Sequence, residues 1–463
     1  MELNEAIKLI KKYIPRHTEV VLKTEQAERY YRKENDILKI EKEKIDKERN
    51  IRSADNRIPS NFHKLLVNQE TAYAFTAPPL FDVGDDNQNK IILKALGDAY
   101  AKRCKSLCVN AQNGGLAWIH YWKDEKGEFK YAVISCKQII PIWSSDLLEE
   151  LYGVIRTYEE LDEETGNNYI VYEVWTAEEC CSFRRLIEDK IDSIQAYMQF
   201  TIYGCGTGAE DMTNIYVHKN GEVPFIPFFN NEEATNNLLD IKELIDSYDK
   251  VLSGFVNDLE DIQQIIMVLT NYSGEADRIG ELWEEIKQKK IIMLESDGAD
   301  DKSGVSTLGI EIPVEARKEL LSLLRKAIFE QGQGIDPDPQ NFGNSSGVAL
   351  GYLYSLLELK TGMMETEFRI GFARLVRVIC RHYEFDAEFI VQTWTRTSVS
   401  NDAELADIAT KSKNIISDET ILKNHPWVED PTSEMERIKK QREENEPKWD
   451  KIPIKDGDQG GEE

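Results

Sequence analysis

A long apolar repeat between positions 238 and 269 constrains the fold of this chain more than any other feature. Its spacing alternates between three and four residues, so the apolar side chains fall on one narrow stripe of an α-helix. Such a helix is a rod of roughly 46 Å at ~1.5 Å per residue, and it must bury its stripe against helices of this chain or of further copies. The sequence therefore predicts a packing seam that comprises Leu238, Ile241, Ile245, Tyr248, Leu252, Phe255, Leu259, Ile262, Ile266 and Leu269.

The length and the hydropathy pattern limit the class of protein. A chain of 463 residues is too long for one compact core, so several domains or an elongated subunit are expected. No apolar run approaches the roughly 20 residues that a membrane-spanning helix needs. The charged N-terminal segment MELNEAIKLIKKYIP does not resemble a secretory signal. These features predict a protein of the cytoplasm or of an assembled particle, with no membrane partner.

Charge and cysteine content leave several functions open. The formal net charge of −27 excludes a protein that grips DNA over its whole surface, because such proteins present many Lys and Arg side chains to the phosphates. It permits a ring around DNA that must slide, and it equally permits acidity that serves only solubility. The seven cysteines are scattered. No second close pair of metal ligands accompanies Cys104 and Cys108, so reduced, partly buried thiols are predicted.

The N-terminal half combines helices with a β-rich region. Residues 1–50 are expected to form one or two solvated helices, a third helix should lie between Pro59 and the pair Pro78–Pro79, and another should cover 88–110. Alternating apolar residues over 116–230 predict an antiparallel β region of about six or seven strands. The prolines of GEVPFIPFFNN preclude a central strand at its end.

The C-terminal half is mainly helical. Residues 271–312 read as a small insertion with a short helix and two strands, and Pro313 then starts a second apolar-faced helix. A loop rich in Pro and Gly leads to a third, longer helix from about 347 to 383, with a kink at Gly362. After this helix come a strand-like EFIVQTW, short helices and a polar tail that is expected to be disordered. The sequence thus predicts an α+β chain.

Motifs for catalysis are missing from the sequence. There is no GxxxxGK[ST] phosphate loop, no HExxH, no GxSxG and no paired CxxC. The six histidines show no metal-ligand spacing. The sequence therefore predicts no catalytic residue, no metal site and no cofactor, and a protein that is not an enzyme.

In the order of its elements the chain resembles the portal proteins of long-tailed (siphovirus-type) double-stranded DNA bacteriophages. The resemblance covers most of residues 20–440. Four stretches look especially similar, and the last is the most specific: NRIPSNFHKLLVNQETAYAFTAPPLF, LIDSYDKVLSGFVNDLEDIQQIIMVLTNY, IPVEARKELLSLLRKAIFEQGQG and NFGNSSGVALGYLYSLLELK.

The resemblance implies an elongated multi-domain subunit with long stem helices and an antiparallel β-rich wing, which assembles into a ring. The expected parts are 1–230 as N-terminal helices and wing, 231–270 as first stem helix, 271–312 as clip, 313–332 as second stem helix, 333–346 as tunnel loop, 347–386 as long kinked helix, and 387–463 as C-terminal crown and disordered tail.

The function that this resemblance implies is that of a portal. A homo-oligomeric ring, in the family usually of twelve subunits, lies at one capsid vertex of the virion, and double-stranded DNA enters through it during packaging and leaves during ejection. Expected partners are the terminase large subunit, a head–tail adaptor, and the major capsid and scaffolding proteins, with assembly in the host bacterial cytoplasm. The alternatives are another ring-forming head–tail connector protein and a DNA-processing enzyme with an unrecognised site.

The resemblance also assigns roles to individual residues. The DNA-facing positions of the tunnel loop would be Ile335, Asp336, Asp338, Gln340, Asn341, Phe342 and Asn344, and the alternative is an ordinary connector between two helices. In the clip, motor or adaptor would dock on Trp283, Ile291 and Met293, unless 271–312 is a neutral surface insertion. Arg369, Arg374, Arg377 and Arg381 could bind phosphate, but their spacing favours salt bridges between subunits.

Overall fold

The structure is a computed structural model, and it describes most of the chain. The described residues are 1–40, 54–147, 150–203, 210–262, 266–270, 304–308, 313–337, 347–396, 408–413, 415–423, 428 and 431–445. The helices are α1 (Leu3–Tyr31), α2 (Phe62–Ala74), α3 (Asp86–Leu96), α4 (Tyr100–Gly114), α5 (Lys242–Ile262), α6 (Val314–Gln331), α7 (Gly347–His382), α8 (Asp418–Lys423) and α9 (Pro431–Asn445).

The strands are short and mostly lie in the N-terminal half. They are β1 (Leu80–Asp82), β2 (Leu116–Lys123), β3 (Phe129–Ser135), β4 (Ile139–Trp143), β5 (Leu151–Leu161), β6 (Asn168–Trp175), β7 (Glu179–Leu186), β8 (Gln195–Ala196), β9 (Phe200–Tyr203), β10 (Glu210–Thr213), β11 (Ile215–Val217), β12 (Phe225–Phe229), β13 (Ile266–Thr270), β14 (Gly304–Leu308) and β15 (Val391–Thr393).

The chain divides into two compact units. The larger unit comprises Met1–Asp336 and Leu356–Thr397, and the smaller comprises Pro337–Ser355 and Ser398–Glu463. In the smaller unit, α8 and α9 contact each other. The Glu70 cluster, the α5–α6 pair and helix α1 lie in the larger unit.

Two antiparallel sheets form the β-rich part of the larger unit. The first has six strands in the order β11-β7-β6-β5-β4, with β8 beside β7, and the second has three strands in the order β12-β2-β3. The predicted antiparallel β region is therefore confirmed. The described residues between Leu116 and Phe229 contain eleven strands rather than six or seven. The expected number was too low because runs such as AYMQFTIYG are split between separate short strands.

The three-stranded sheet is buried on both faces. Ala117, Ile119 and Tyr121 of β2 point into a core with α3, α4 and α7. Trp118, between them, points into a second core that the six-stranded sheet shares. The side chains alternate in this way because successive residues of a strand face opposite sides. The helices thus cover one face of the sheet and the second sheet covers the other.

Strand β12 explains why the two prolines are tolerated. It pairs only with β2 in this sheet, and Pro227 lies opposite Trp118 at the sheet edge. An edge position is where a residue without an N–H can be accommodated in a ladder. The prediction that this segment is not a central strand is confirmed.

Helix α1 differs from the solvated helix that the sequence predicts. Ala6 and Ile10 are fully buried in a cluster with Ile155 and Phe183 of the six-stranded sheet. The high charge of residues 1–31 conceals this narrow apolar face. The helix expected over 88–110 is likewise two helices, because Gly97 adopts a left-handed φ of 72° directly after α3.

The first long helix is shorter than the apolar repeat predicts. Helix α5 covers Lys242–Ile262, whereas Ile266 and Leu269 belong to strand β13, which pairs with β14. Leu238 and Ile241 lie in turns before the helix. A continuous helix over 238–269 is therefore wrong. In place of the helix, Ile266–Thr270 form a strand, because the backbone of this apolar run pairs with β14, which follows it in sequence.

Two further expectations concern the cysteines and the membrane. The cysteines of the described residues (104, 108, 136, 180, 181 and 380) are free and buried, as predicted, whereas Cys205 lies outside the described residues. Within the described residues, no helix combines the length and apolar character that crossing a membrane requires.

Helix α7 packs closely on β12 through a glycine, which provides a test of this core. A Cβ atom on Gly371 would lie 2.6 Å from Cε1 of the buried Phe228 ring. At Gly362, in the same helix, a Cβ would meet nothing within 4 Å. We expect Gly371→Ala to lower the free energy of unfolding by about 1–3 kcal/mol through overpacking. Gly362→Ala should raise it by up to about 1 kcal/mol through helix propensity.

Urea unfolding followed by tryptophan fluorescence, at one protein concentration for all variants, measures both changes. Equal effects of the two substitutions would contradict the packing of α7 on β12.

Candidate functional site

The predicted tunnel-loop and clip residues fall only partly within the described chain. Ile335 and Asp336 are described, and the other assigned loop residues, Asp338, Gln340, Asn341, Phe342 and Asn344, lie outside the described residues. The clip residues Trp283, Ile291 and Met293 also lie outside them. The site is therefore the base of the loop, where the chain leaves α6.

The chain leaves α6 in close contact with α2. A Cβ on Gly332 would lie 2.6 Å from Cδ1 of Leu66, and one on Gly334 would lie 2.1 Å from Cδ2 of the same leucine. Between them Gln333 adopts a left-handed φ of 53°. A side chain at 332 or 334 would force either the Leu66 side chain or the loop base to move, because no room is left between them.

Gln69 of α2 fixes the next residue by two hydrogen bonds. Its Nε2 donates to the carbonyl oxygen of Ile335 at 2.7 Å, and the Ile335 N–H donates to Gln69 Oε1 at 3.1 Å. The Ile335 side chain is only 8% exposed. The assignment of Ile335 as a DNA-facing residue is therefore wrong, because its own chain buries it.

Asp336 is held by an arginine of the preceding helix. Arg325 Nη2 donates to Asp336 Oδ1 at 2.6 Å, and Arg325 Nε lies 3.1 Å from Oδ2. Such a fork-like contact fixes the direction of the carboxylate and neutralises its charge. The sequence analysis assigns Asp336 to the DNA-facing positions, and in the structure its carboxylate is directed toward Arg325.

A buried carboxylate connects the loop base to three further elements. Glu70, next to Gln69, is 1% exposed. Lys360 Nζ of α7 lies 3.1 Å from Glu70 Oε2 and donates to the carbonyl oxygen of Gly332 at 3.1 Å. Asn237 Nδ2 donates to Glu70 Oε2 at 2.8 Å and to Gln112 Oε1 of α4 at 3.1 Å. This cluster, Glu70 with Lys360, Asn237, Gln112 and the Gly332 carbonyl, is called the Glu70 cluster below.

A buried histidine lies on the same helix as the Glu70 cluster. His63 Nε2 is 2.9 Å from Asn113 Oδ1. Because Asn113 Nδ2 already donates to the Val109 carbonyl oxygen, its Oδ1 accepts, and His63 Nε2 must carry the proton. Burial lowers the pKa of His63 to about 4, so its imidazole is neutral near pH 7.

Helices α5 and α6 pack along each other. The Arg317 guanidinium of α6 contacts Asp258 of α5 and lies 5.5 Å from the centre of the Phe255 ring. Part of the predicted seam is buried within the chain: Leu238, Ile241 and Ile245 join a cluster with Leu66, Ile328 and Phe329. Farther along, Tyr248, Leu252 and Phe255 are partly buried and Leu259 is 47% exposed. The side chains of Ile262, Ile266 and Leu269 lie outside the described residues.

A second, polar stripe on α5 was not expected from the sequence. Asp249, Ser253 and Asn257, four residues apart, accept hydrogen bonds from the backbone N–H groups of Ser60, Ile58 and Asn56 at 2.8, 3.0 and 2.6 Å. Burial raises the pKa of Asp249, which is 0% exposed. The four-residue spacing of these acceptors was the one sequence feature that pointed to this contact. It was overlooked because a polar helix face is usually exposed to solvent.

Comparison with known proteins gives the family of the chain. Residues 10–448 match the family described as phage portal protein, SPP1 Gp6-like. The portal protein of Clostridium phage phiCD119 is 42% identical over 445 residues, which are 93% of this chain and 94% of that protein. The portal protein of Bacillus phage SPP1 is 30% identical over 455 residues, 94% of this chain and 86% of that protein.

The chain belongs to the SPP1 Gp6-like family of phage portal proteins. The resemblance seen in the sequence and the function of a portal protein are thus confirmed. A chain in a solved structure of the virion of a native gene transfer agent particle is 10% identical, with a TM-score of 0.47 over 78% of this chain and 88% of that chain. That likeness is too weak to support an inference.

Two arginines of α7 are already paired within this portal chain. Arg369 Nη2 lies 2.6 Å from Glu365 Oε1, and Arg381 Nη1 lies 3.1 Å from Glu222 Oε1. Carboxylates of the same chain therefore already contact Arg369 and Arg381, and salt bridges between subunits stay a prediction.

The Glu70 cluster provides a test of the loop base. Removing one member of a buried ion pair leaves the other charge without a partner, which typically costs about 3–5 kcal/mol. We expect Lys360→Met to destabilise the portal chain by about 3 kcal/mol in urea unfolding, and Glu70→Gln combined with Lys360→Met to recover most of this loss. As a control, Lys326→Met removes a solvent-exposed lysine of α6, 72% exposed, and should change stability by less than about 0.5 kcal/mol.

Additive losses in the double variant would show that Glu70 and Lys360 do not interact.

Proposed function

We propose that this portal chain forms a closed ring at one capsid vertex of a long-tailed double-stranded DNA phage, with DNA passing through its centre. The observation that carries the proposal is the family match over residues 10–448, together with two relatives that are named portal protein and align over more than nine-tenths of this chain. The ring has twelve subunits, as is usual in the family. DNA enters during packaging and leaves during ejection, and the protein itself contributes no catalysis.

The parts of the subunit follow the order of its elements. We assign 1–230 to the wing, α5 and α6 to the stem, 271–312 to the clip, 333–346 to the tunnel loop, 347–386 to the long helix, and 387–463 to the crown and tail. Two contacts support this assignment. Helices α5 and α6 pack side by side, and β13 pairs with β14, so the two ends of the clip segment are joined where the stem helices end and begin.

The partners follow from the same assignment. The clip, with Trp283, Ile291 and Met293, docks the terminase large subunit during packaging and the head–tail adaptor afterwards. The wing and crown contact the major capsid and scaffolding proteins during assembly in the host bacterial cytoplasm. Of the loop residues, Asp338, Gln340, Asn341, Phe342 and Asn344 remain as DNA-facing positions, because Ile335 is buried and Asp336 is paired with Arg325. No observation favours another head–tail connector.

Copies of this chain repel each other because each one is strongly acidic. Ring formation therefore requires apolar contacts between neighbouring copies. Each copy carries a formal charge of −27, and Leu323 of α6 is 56% exposed in the single chain. We expect native mass spectrometry to show closed rings, favoured by salt because screening weakens the repulsion. Leu323→Asp should shift the population to monomers without unfolding them. Leu239→Asp, at a leucine that is 63% exposed before α5, is the matched control and should leave the rings intact.

Monomers alone at every salt and protein concentration would contradict the ring itself.

The loop is tested by reversing one charge. We expect Asp338→Lys to leave rings and empty heads normal but to slow packaging, because twelve lysines would bind phosphate where carboxylates repelled it. Glu315→Lys makes the same change on the exposed face of α6, where the side chain is 88% exposed, and should package at the normal rate. DNA packaged per head, measured by nuclease protection, separates the two. Wild-type packaging by the Asp338→Lys phage would place the loop away from the DNA.

A further inference from the structure

The first half of α1 carries a basic stripe on a strongly acidic protein. Lys8, Lys12 and Arg16 are spaced four residues apart, so they lie on one face of the helix, and all three are exposed. No Asp or Glu occurs between Glu5 and Glu19, although the whole chain has a net charge of −27. The stripe is therefore a local positive region on a negative surface.

The described residues do not neutralise this stripe. In the described part of the chain, no carboxylate lies within ion-pair distance of Lys8, Lys12 or Arg16, whereas the adjacent Lys11 pairs with Asp192. The Lys12 Nζ lies 5.1 Å from the centre of the Tyr13 ring. These three cations lie about one helical turn apart. A partner whose carboxylates repeat at the same spacing would be complementary to them.

An apolar cleft lies at the C-terminal end of the stripe. It encloses about 450 Å³ between α1 and strands β2 and β4, and Arg16, Val20, Trp118 and Trp143 are among its lining residues. Among the described residues that line it there is no Asp or Glu. Val20 continues the stripe by one helical turn beyond Arg16 and is 40% exposed. The cleft has the size and the apolar character of a ligand-binding site.

We infer that this surface docks an acidic peptide segment of a partner protein, with carboxylates paired to Lys8, Lys12 and Arg16 and one apolar side chain in the cleft beside Val20. Charge complementarity selects the acidic character of the partner. The cleft selects a peptide over DNA, because a duplex presents phosphates to such a stripe but no apolar group that could fill the cleft. This inference does not depend on the ring or on the channel.

The test uses the full-length protein and three labelled 18-residue peptides, with fluorescence anisotropy as the measurement. The first peptide has Glu at every fourth position and a Leu and Trp stripe. The second has each Glu replaced by Gln, and the third has the Leu and Trp residues replaced by Ser. A 20-base-pair DNA duplex serves as the competitor. We expect the first peptide to bind at least tenfold more tightly than the other two, and the duplex not to displace it.

Substitutions place the binding on this surface. K8E/K12E/R16E and, separately, Val20→Glu should each weaken binding of the first peptide at least tenfold, whereas K8R/K12R/R16K should retain it. The matched controls are K94E/K102E/K105E, which makes the same charge change on exposed lysines of α3 and α4, and Leu22→Glu, at a residue that is 62% exposed on α1. Both controls should bind as the wild type does, and circular dichroism checks the fold of every variant.

Three results would overturn the inference. They are equal binding of the Glu and Gln peptides, unchanged binding by K8E/K12E/R16E, and displacement of the peptide by the duplex. The last result would identify a nucleic-acid site.

Discussion

The buried carboxylate of Glu70 determines how the helices of the larger unit meet. A charge that is 1% exposed is stable only if other groups replace the water it has lost. Lys360 and Asn237 do so, and they belong to α7 and to the segment that leads into α5. Lys360 also binds the Gly332 carbonyl, so the same ammonium group positions the loop base. Apolar packing among these helices is not directional, but this polar contact is satisfied in one arrangement only. The register of α2, α5, α7 and the loop base is thus set together.

Helix α5 has two faces with different tasks. Its apolar residues Ile245 and Tyr248 pack against α2 and α6, while Asp249, Ser253 and Asn257 accept hydrogen bonds from the extended segment 56–60. Acceptors one helical turn apart on α5 match alternate N–H groups of this segment. The segment cannot slide along α5 without losing all three bonds. The α5–α6 pair is therefore connected to the N-terminal part of the chain by directional contacts on one side and by packing on the other.

Features that depend on neighbours in sequence were predictable, and those that depend on distant residues were not. Helices α6 and α7 follow from local apolar spacing and from Pro313, and the family followed from the order of elements and from stretches such as NFGNSSGVALGYLYSLLELK. The end of α5 did not, because β13 needs its partner β14 to be recognised as a strand. Ile335 was misassigned because local Pro and Asp residues indicate an exposed loop, whereas Gln69, 266 positions away, holds it against α2. Lys8, Lys12 and Arg16 are apparent in the sequence, but residues 1–50 were interpreted only as solvated helices of mixed charge.

The distribution of charge bears on how copies of this chain associate. Repulsion between copies that each carry −27 extends only about 10 Å at 0.1 M salt, so it opposes approach but is weak against contacts already made. Contacts between copies must then be short-ranged and apolar, as the exposed Leu320 and Leu323 of α6 allow. Carboxylates such as Asp336 and Asp258 are paired with Arg325 and Arg317, so they add little to the field along the α5–α6 pair. Arginines of the same chain thus offset two of the carboxylates on the α5–α6 pair, and salt screens the repulsion that remains.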